Sequence, residues 1–542
     1  MSIFSKVGGA HPRRNKFNLS FDVKTTADMG ILYPVGTPQM MVPGDSFRVG
    51  HEVVAQLQPM VAPVMADMSV YFYDFFVPFR LLWDDWETFI TRGVSGDEEP
   101  PLPYYDPSGG YHDDKFTAKG TLWDSFGFPI GVDETKVKVL DFPWRAYNLI
   151  WNEYFRDENH MTELHIEPLE TVETLDDSLS TYNYKPQRVC WGRDMFTSAL
   201  PFQQRGTPVG IPVVSSGISS DFDLVTSDYT SFDPSDVKMK GESHHVQAVG
   251  FEGYYAELKN FTGTSRGFSS SPYSDSMKDS LNENFSKHLH INDITSADVA
   301  DLRFMFQVQK FMERSARAGV RYTEFLRANF GVSPRDDRLQ RPEFIGGTRS
   351  PILIKPVLQT SETDGQSTPT GTKYGQGMTA DSTYSGTYYA TEYGVMMTLM
   401  CIRPKTSYQQ GVNRQWIKDT SWDFFNPLFQ NLSEQEIYKE EIYATNDEKE
   451  NKKVWGFTGR YNELRHNQSI VTGDMRDTFD YWHLGRKFTS APELNAKFLT
   501  CEPSKRIFAV QDEVGFILHI GQRIEALRPM VYMAEPGLID HN

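Results

Sequence analysis

The sequence predicts a single β-rich domain enlarged by long loops and a few helices. Three observations carry this. Thirty-seven Phe and 26 Tyr in 542 residues favour half-buried pleated surfaces, where flat rings pack well. Strand-like runs lie towards both ends of the chain, and the most helical and most polar segments lie between them. No internal repeat divides the chain into modules. An apolar fraction of 39% is ample for a packed core, so a chain long enough for roughly two to four ordinary domains reads as one domain with insertions.

The elements follow in order. Residues 1–20 form a basic arm, in which Lys6, Arg13, Arg14 and Lys16 meet no acid before Asp22. It is either a solvated tail or an arm reaching a neighbouring subunit or nucleic acid. DSFRVGHEVVAQLQP (45–59), set between a Pro-Gly-Asp turn and a proline, reads as a strand. In MSVYFYDFFVP (68–78), Met68, Val70 and Phe72 share one face, with Tyr71 and Tyr73 opposite. PWRAYNLIWNEYFRDE (143–158) switches to helical period, with a stripe of Ala146, Leu149, Ile150 and Tyr154 and with Pro143 suited to a first turn. From 206 to 296 Ser, Asp, Gly and Thr dominate, the composition of a long exposed insertion. ITSADVADLRFMFQVQKFMERSARAG (294–319) is the clearest helix, capped by Ser296, with Leu302, Met305, Phe306, Gln309 and Met312 in one stripe.

RYTEFLRANFGVSPRDDRLQRPEFIGG (321–347) comes next. Tyr322, Phe325, Leu326 and Phe330 continue an apolar stripe, Gly331 ends the helix and Pro334 blocks its resumption. Pro342 and the Gly346-Gly347 pair are expected to redirect the chain towards the next strand. Between them Arg335, Asp336, Asp337, Arg338 and Arg341 offer guanidinium donors and carboxylate acceptors of both signs. A mixed-sign cluster suits a clamp within or between subunits better than a nucleic-acid groove, which would carry one sign. Residues 360–389 read as a second polar loop; VMMTLMCIRP (395–404), KRIFAVQDE (505–513) and VGFILHIGQRIEALRP (514–529) read as strands.

Composition excludes several function classes. A net charge of −18 repels a phosphate backbone, leaving only local basic segments or a separate cationic partner to hold nucleic acid. Three cysteines, Cys190, Cys401 and Cys501, make neither a disulfide framework nor a zinc site and fit assembly in a reducing cytosol. The first residues lack the apolar core of a secretory signal, and no apolar run is long enough to span a membrane. Gly365 to Lys373 fails the spacing of a phosphate loop, and neither a G-x-S-x-G elbow nor an H-E-x-x-H helix occurs. His244, His245, His288 and His290 sit in polar sequence, and His483 sits among large apolar residues as a hydrogen-bonded packing residue. Asp221, Asp223, Asp228, Asp233 and Asp236 offer oxygen ligands for Ca²⁺ without the spacing of an EF-hand, so solvation is favoured. No catalytic metal or cofactor is expected; a structural divalent cation is the one such group left open. The chain does not read as an enzyme.

Several stretches together resemble the major capsid protein of the Microviridae, in its gokushovirus-like branch. They are FNLSFDVKTTADMGILY (17–33), PGDSFRV (43–49), VYFYDFFVPFRLLWDDWETF (70–89), RAYNLIWNEYFRDEN (145–159), RDMFTSALPFQQRG (193–206), the 321–347 stretch, QGV (410–412), VTGDMRD (471–477), DYWHLG (480–485) and EPGLID (535–540), all in family order. The resemblance implies a mainly β fold, an eight-stranded antiparallel viral jelly-roll barrel over residues 21–542 with long loop and helix insertions. It implies a bacteriophage virion assembled in the host cytoplasm: sixty copies in a T=1 icosahedral shell around circular single-stranded DNA, with a small basic packaging protein. The 206–296 insertion then becomes a surface protrusion for host attachment through a cell-surface receptor, and Arg13, Arg14 and Lys16 become the candidate DNA contacts. The competing reading is a β-rich carbohydrate-binding phage surface protein or lectin, with Tyr254-Tyr255 and Tyr388-Tyr389 stacking on sugars.

Overall fold

The computed structural model describes residues 13–105, 117–132, 137–166, 185–206, four short strands between 238 and 269, and 299–319, 321–333, 335–358, 373–432 and 434–533. The chain divides into two compact units, Met1–Gly206 with Met312–Asn542, and Thr207–Phe311.

The first unit opens with β1 (Asn15–Asn18), β2 (Phe21–Ala27), β3 (Tyr33–Pro34), β4 (Gln39–Met41), β5 (Ser46–Leu57) and β6 (Met68–Pro78). Within the second unit, β7 (Lys238–Lys240), β8 (His245–Gln247), β9 (Ala256–Lys259) and β10 (Gly267–Ser269) form an antiparallel sheet in the order β10-β9-β8-β7. The first unit resumes with β11 (Glu343–Leu358), β12 (Lys373–Tyr389), β13 (Gly394–Pro404), the hairpin partners β14 (Glu434–Tyr438) and β15 (Val454–Gly459), and β16 (Phe516–Arg528).

β1 and β2 pair with successive halves of β16, and β3 and β4 both pair with β13, so each couple fills one barrel position. Counting the eight positions in chain order, one sheet reads 1-8-3-6 (β1/β2, β16, β5, β12) and the other 5-4-7-2 (β11, β6, β13, β3/β4). This is the antiparallel jelly roll. β11 belongs to both sheets: Glu343–Ile352 pairs with β6, and Leu353–Leu358 pairs with β12. Between the sheets, Val53, Ala55 and Leu57 of β5 and Phe516, Leu518 and Ile520 of β16 meet Val70 and Phe72 of β6 and Met400 and Ile402 of β13.

The remaining chain covers one sheet. Phe75 and Val77 of β6 and Val395, Met397, Leu399 and Cys401 of β13 point away from the barrel into a second core with Trp123, Trp144, Tyr147 and Ile150. The helix Phe142–Ile150, with Pro143 in its first turn, is therefore buried nearly all round rather than along one stripe. Its polar side chains are satisfied locally: Arg145 pairs with Asp141 at 2.6 Å, and the Tyr147 hydroxyl donates to the Leu32 carbonyl at 2.8 Å. Cys401 and Cys501 lie in this second core, and burial pushes their thiols up to about 11 and about 12; Cys190, half-buried, is pushed up to about 11.

Four sequence expectations are corrected. Residues 373–389 are not loop but the long strand β12, whose Thr and Tyr content suits a pleat and whose glycines let backbones approach. A Cβ on Gly375 would lie 2.3 Å from the Ala62 carbonyl oxygen. Residues 505–513 form turns, because Ile507 and Phe508 fill the core side by side instead of alternating across a pleat. Gly346-Gly347 does not turn the chain but lies inside β11, at a bulge opposite β6 where a Cβ on Gly346 would strike the Ser385 carbonyl oxygen at 2.4 Å. The helix described after the insertion runs Val299–Ala318, with Phe306 exposed rather than on a buried stripe; Ser296 lies outside the described residues.

Candidate functional site

The 321–347 stretch is where separate sequence motifs converge. Its helix Tyr322–Phe330 ends on Gly331, which takes the left-handed conformation (φ 70°) and donates its N–H to the Arg327 carbonyl at 3.0 Å. Arg321 pairs with Glu158 at 2.8 Å and donates to the Asn152 carbonyl at 2.7 Å, binding the stretch to the 145–159 motif. Arg341 pairs with Asp336 at 2.8 Å and stacks 4.7 Å from the Tyr154 ring centroid. Arg335 pairs with Asp337 at 2.9 Å. Burial works against the Arg341 charge, yet Tyr154 and Asp336 outweigh it and hold the guanidinium above its usual range. Glu343 goes the other way: burial first, then Asp337, Asp336 and Glu392, raise its carboxyl, against a 2.8 Å hydrogen bond from Tyr388. Arg338 is exposed, and its side chain enters no ion pair among the described residues.

The basic arm joins the barrel before it leaves the described residues. Lys16 lies in β1 and pairs with Glu525 of β16 at 3.1 Å, with both side chains largely in solvent. Arg14 donates to the Tyr389 hydroxyl at 3.0 Å and lies over its ring. Arg13 is exposed. Of the Tyr388-Tyr389 pair, Tyr388 turns inward against Phe76 (centroids 4.7 Å), so the two rings form no common sugar platform. Asp221, Asp223, Asp228 and Tyr254-Tyr255 lie outside the described residues. Among the described residues no helix is long and apolar enough to cross a membrane.

Two arrangements escaped the sequence reading. In the barrel interior, His51 of β5 is held by Asp74 of β6 at 2.8 Å and Gln522 of β16 at 3.0 Å, while Thr398 of β13 donates to Asp74 at 2.6 Å. All four lie within the core and tie the two sheets together. A titratable residue in the middle of each of two apolar runs was the available signal. His483 packs as expected, with Nε2 on the Met475 carbonyl at 2.6 Å and Nδ1 accepting from the Gly485 N–H at 2.8 Å. Outside the covered sheet lies a hollow of about 780 Å³ lined by Arg193, Arg349, Arg403 and Lys405 against Asp67 and Asp194. Arg403 and Arg349 both lie over the Tyr71 ring, at 4.5 and 5.6 Å, and Asp194 accepts from Thr406 and Tyr408 at 2.7 Å. These groups are used up in bracing the 193–206 motif against β13.

Residues 5–538 match the family described as capsid protein (F protein). The chain belongs to this family. It is 33% identical to capsid protein VP1 of Chlamydia phage 1, over 99% of this chain and 97% of that one. It is 31% identical to capsid protein VP1 of Bdellovibrio phage phiMH2K and 29% identical to that of Spiroplasma virus 4, in each case over 92% of this chain and 89% of the relative. The protein is thus a structural capsid protein of the Microviridae, a component of the virion that builds a multi-copy shell, and not an enzyme.

A capsid protein is expected to leave apolar surface for other copies, and one such surface is prominent. Between residues 414 and 432 Trp416, Trp422 and Leu428 are 83%, 64% and 82% exposed, beside exposed Phe424 and Phe425. The segment is nonetheless rigidly built from three short helical turns. Thr420 and Asp423 form a capping box, Asn426 caps the next turn, and the carbonyls of Trp422 and Phe424 accept from Arg460 at 2.8 Å and Tyr461 at 3.1 Å. Large apolar side chains held out by a satisfied backbone are a surface built for contact.

Proposed function

We propose that this capsid protein assembles as sixty equivalent copies into a T=1 icosahedral shell enclosing a circular single-stranded DNA genome. The observation that supports self-assembly best is the rigid aromatic surface of residues 414–432, too large and too ordered to be left in water on a free monomer. Arg338, exposed beside a cluster whose other charges are paired, serves contacts between copies, and so does the exposed Tyr322 and Phe330 edge of the helix before it. A small basic protein supplies most of the charge that condenses DNA, since a chain of net charge −18 cannot; Arg13, Arg14 and Lys16 add local contacts. The 206–296 insertion forms a protrusion that engages a host receptor.

Electron microscopy of the purified protein with its packaging partner tests this reading. Uniform small icosahedra are expected; monodisperse monomers that ignore concentration and partner would overturn it. Arg338→Glu should lower the yield of closed particles by about ten-fold while the monomer stays folded, since reversing one interface charge costs on the order of 1–2 kcal/mol per contact. Deleting the tip of the insertion should spare particles and abolish host attachment.

A further inference from the structure

The bare sheet of the barrel carries an unassigned surface. On its outer side the carboxylates are already neutralised: Glu525 by Lys16 at 3.1 Å, Asp22 by His519 at 3.7 Å, and Glu52 by Arg523. Lys24, Arg14 and Arg48 form no ion pair among the described residues, which leaves positive charge on one face of a strongly acidic chain. Two of these cations hold aromatic rings. Arg48 of β5 lies 5.1 Å from the Tyr384 ring centroid, and Arg14, at the end of the same sheet, lies 5.1 Å from that of Tyr389. Tyr384 and Tyr389 remain 55% and 49% exposed. Gly50 stands opposite both Tyr384 and Arg523 in the ladder and puts no side chain between them.

Free cations beside half-open rings are the chemistry that binds an unpaired polynucleotide: guanidinium and ammonium groups take the phosphates, and rings fixed in place by arginine stack on bases of any sequence. We propose that the outer face of the β16–β5–β12 sheet is a binding surface for single-stranded nucleic acid, with Tyr384 and Tyr389 as stacking platforms and Lys24, Arg14 and Arg48 as phosphate contacts. Charge complementarity selects this occupant over a second copy of an acidic chain. The proposal rests on the reading that the shell encloses a single-stranded genome, and it makes this sheet the lining of the shell.

Two measurements test it. Ultraviolet cross-linking of DNA inside intact wild-type particles, followed by peptide mapping, should place adducts on the peptides of Tyr384 and Tyr389. Anisotropy of a labelled twenty-nucleotide oligothymidylate with the full chain should show Tyr384→Ala weakening binding about ten-fold. The double variant Lys24→Gln, Arg48→Gln should lower the salt slope by about one unit. If Tyr384→Ala fails to fold, the double variant, whose side chains are exposed, and the wild-type cross-link map decide. Unchanged binding in the variants, adducts confined to other peptides, or cross-links from β12 to another copy would overturn this surface and leave the shell intact. Wild-type particles without nuclease-protected DNA would instead overturn the genome reading itself.

Discussion

The two sheets of the barrel share one interior and differ outside it. β6 and β13 are buried on nearly every residue, because their outer faces carry a second core as large as the first. β16 alternates strictly, with Phe516, Leu518 and Ile520 inward and Ile517, His519 and Arg523 outward, and nothing in its own unit covers that outer side. The covered sheet could not exist without the chain inserted between its strands, since bare β6 and β13 would expose a continuous row of Phe, Tyr, Met and Val. The insertions are therefore half of the hydrophobic core rather than decoration on a finished barrel.

Substitutions on the two sides should separate sharply. Trp144→Ala, which empties the centre of the second core, should cost about 4 kcal/mol and a correspondingly large drop in Tm by calorimetry; a loss below about 1 kcal/mol would mean the covering layer is not coupled to the sheet. Asp74→Ala removes the carboxylate that His51 and Thr398 share between the sheets and should cost about 3 kcal/mol in denaturant unfolding. In the covering layer, Glu463 pairs with Lys418 at 2.7 Å and accepts from Gln435 at 2.8 Å. Burial pushes its carboxyl up, but these two bonds outweigh it and hold it below the ordinary glutamate value of 4.5. A depressed folded pKa contributes stability that is present above the unfolded value and lost as pH falls through the folded one. Glu463→Gln should thus cost about 2 kcal/mol at pH 7, with the gap from wild type closing below pH 4.5. Ile517→Ser on the bare face should change stability by less than about 0.5 kcal/mol, and a larger loss would show that this face is covered within the monomer.

Legibility in the sequence followed the same division. β16, β6 and β13 were visible because period-two or continuous apolar runs state their burial directly. β12 was not, because a Ser-, Thr- and Gly-rich strand with one side in solvent has the composition of a loop; only its Thr and Tyr content hinted otherwise. β11 was missed for a different reason: it changes partners midway, so neither half is long enough to set a pattern. The charges of 335–341 were legible as a mixed-sign cluster, but their partners Tyr154 and Thr323 are brought in by folding alone. His51 and Asp74 look like two unrelated polar interruptions until the sheets close on them.

The three thiols give the covering layer a clock. Cys401 and Cys501 are sealed beneath it, and with their pKa raised to about 11 and about 12 they stay protonated and inert at neutral pH. An alkylating reagent reaches them only during moments when the layer lifts off the sheet, so their modification rate counts those openings one by one. Cys190, half-exposed at the margin, sets the pace of a thiol that needs a smaller opening. The bare sheet carries no cysteine on β1, β2, β5, β12 or β16 and stays silent in the same experiment. A mixture of free subunits and closed shells could then be followed by chemistry alone, each thiol timing how firmly the layer above it is held.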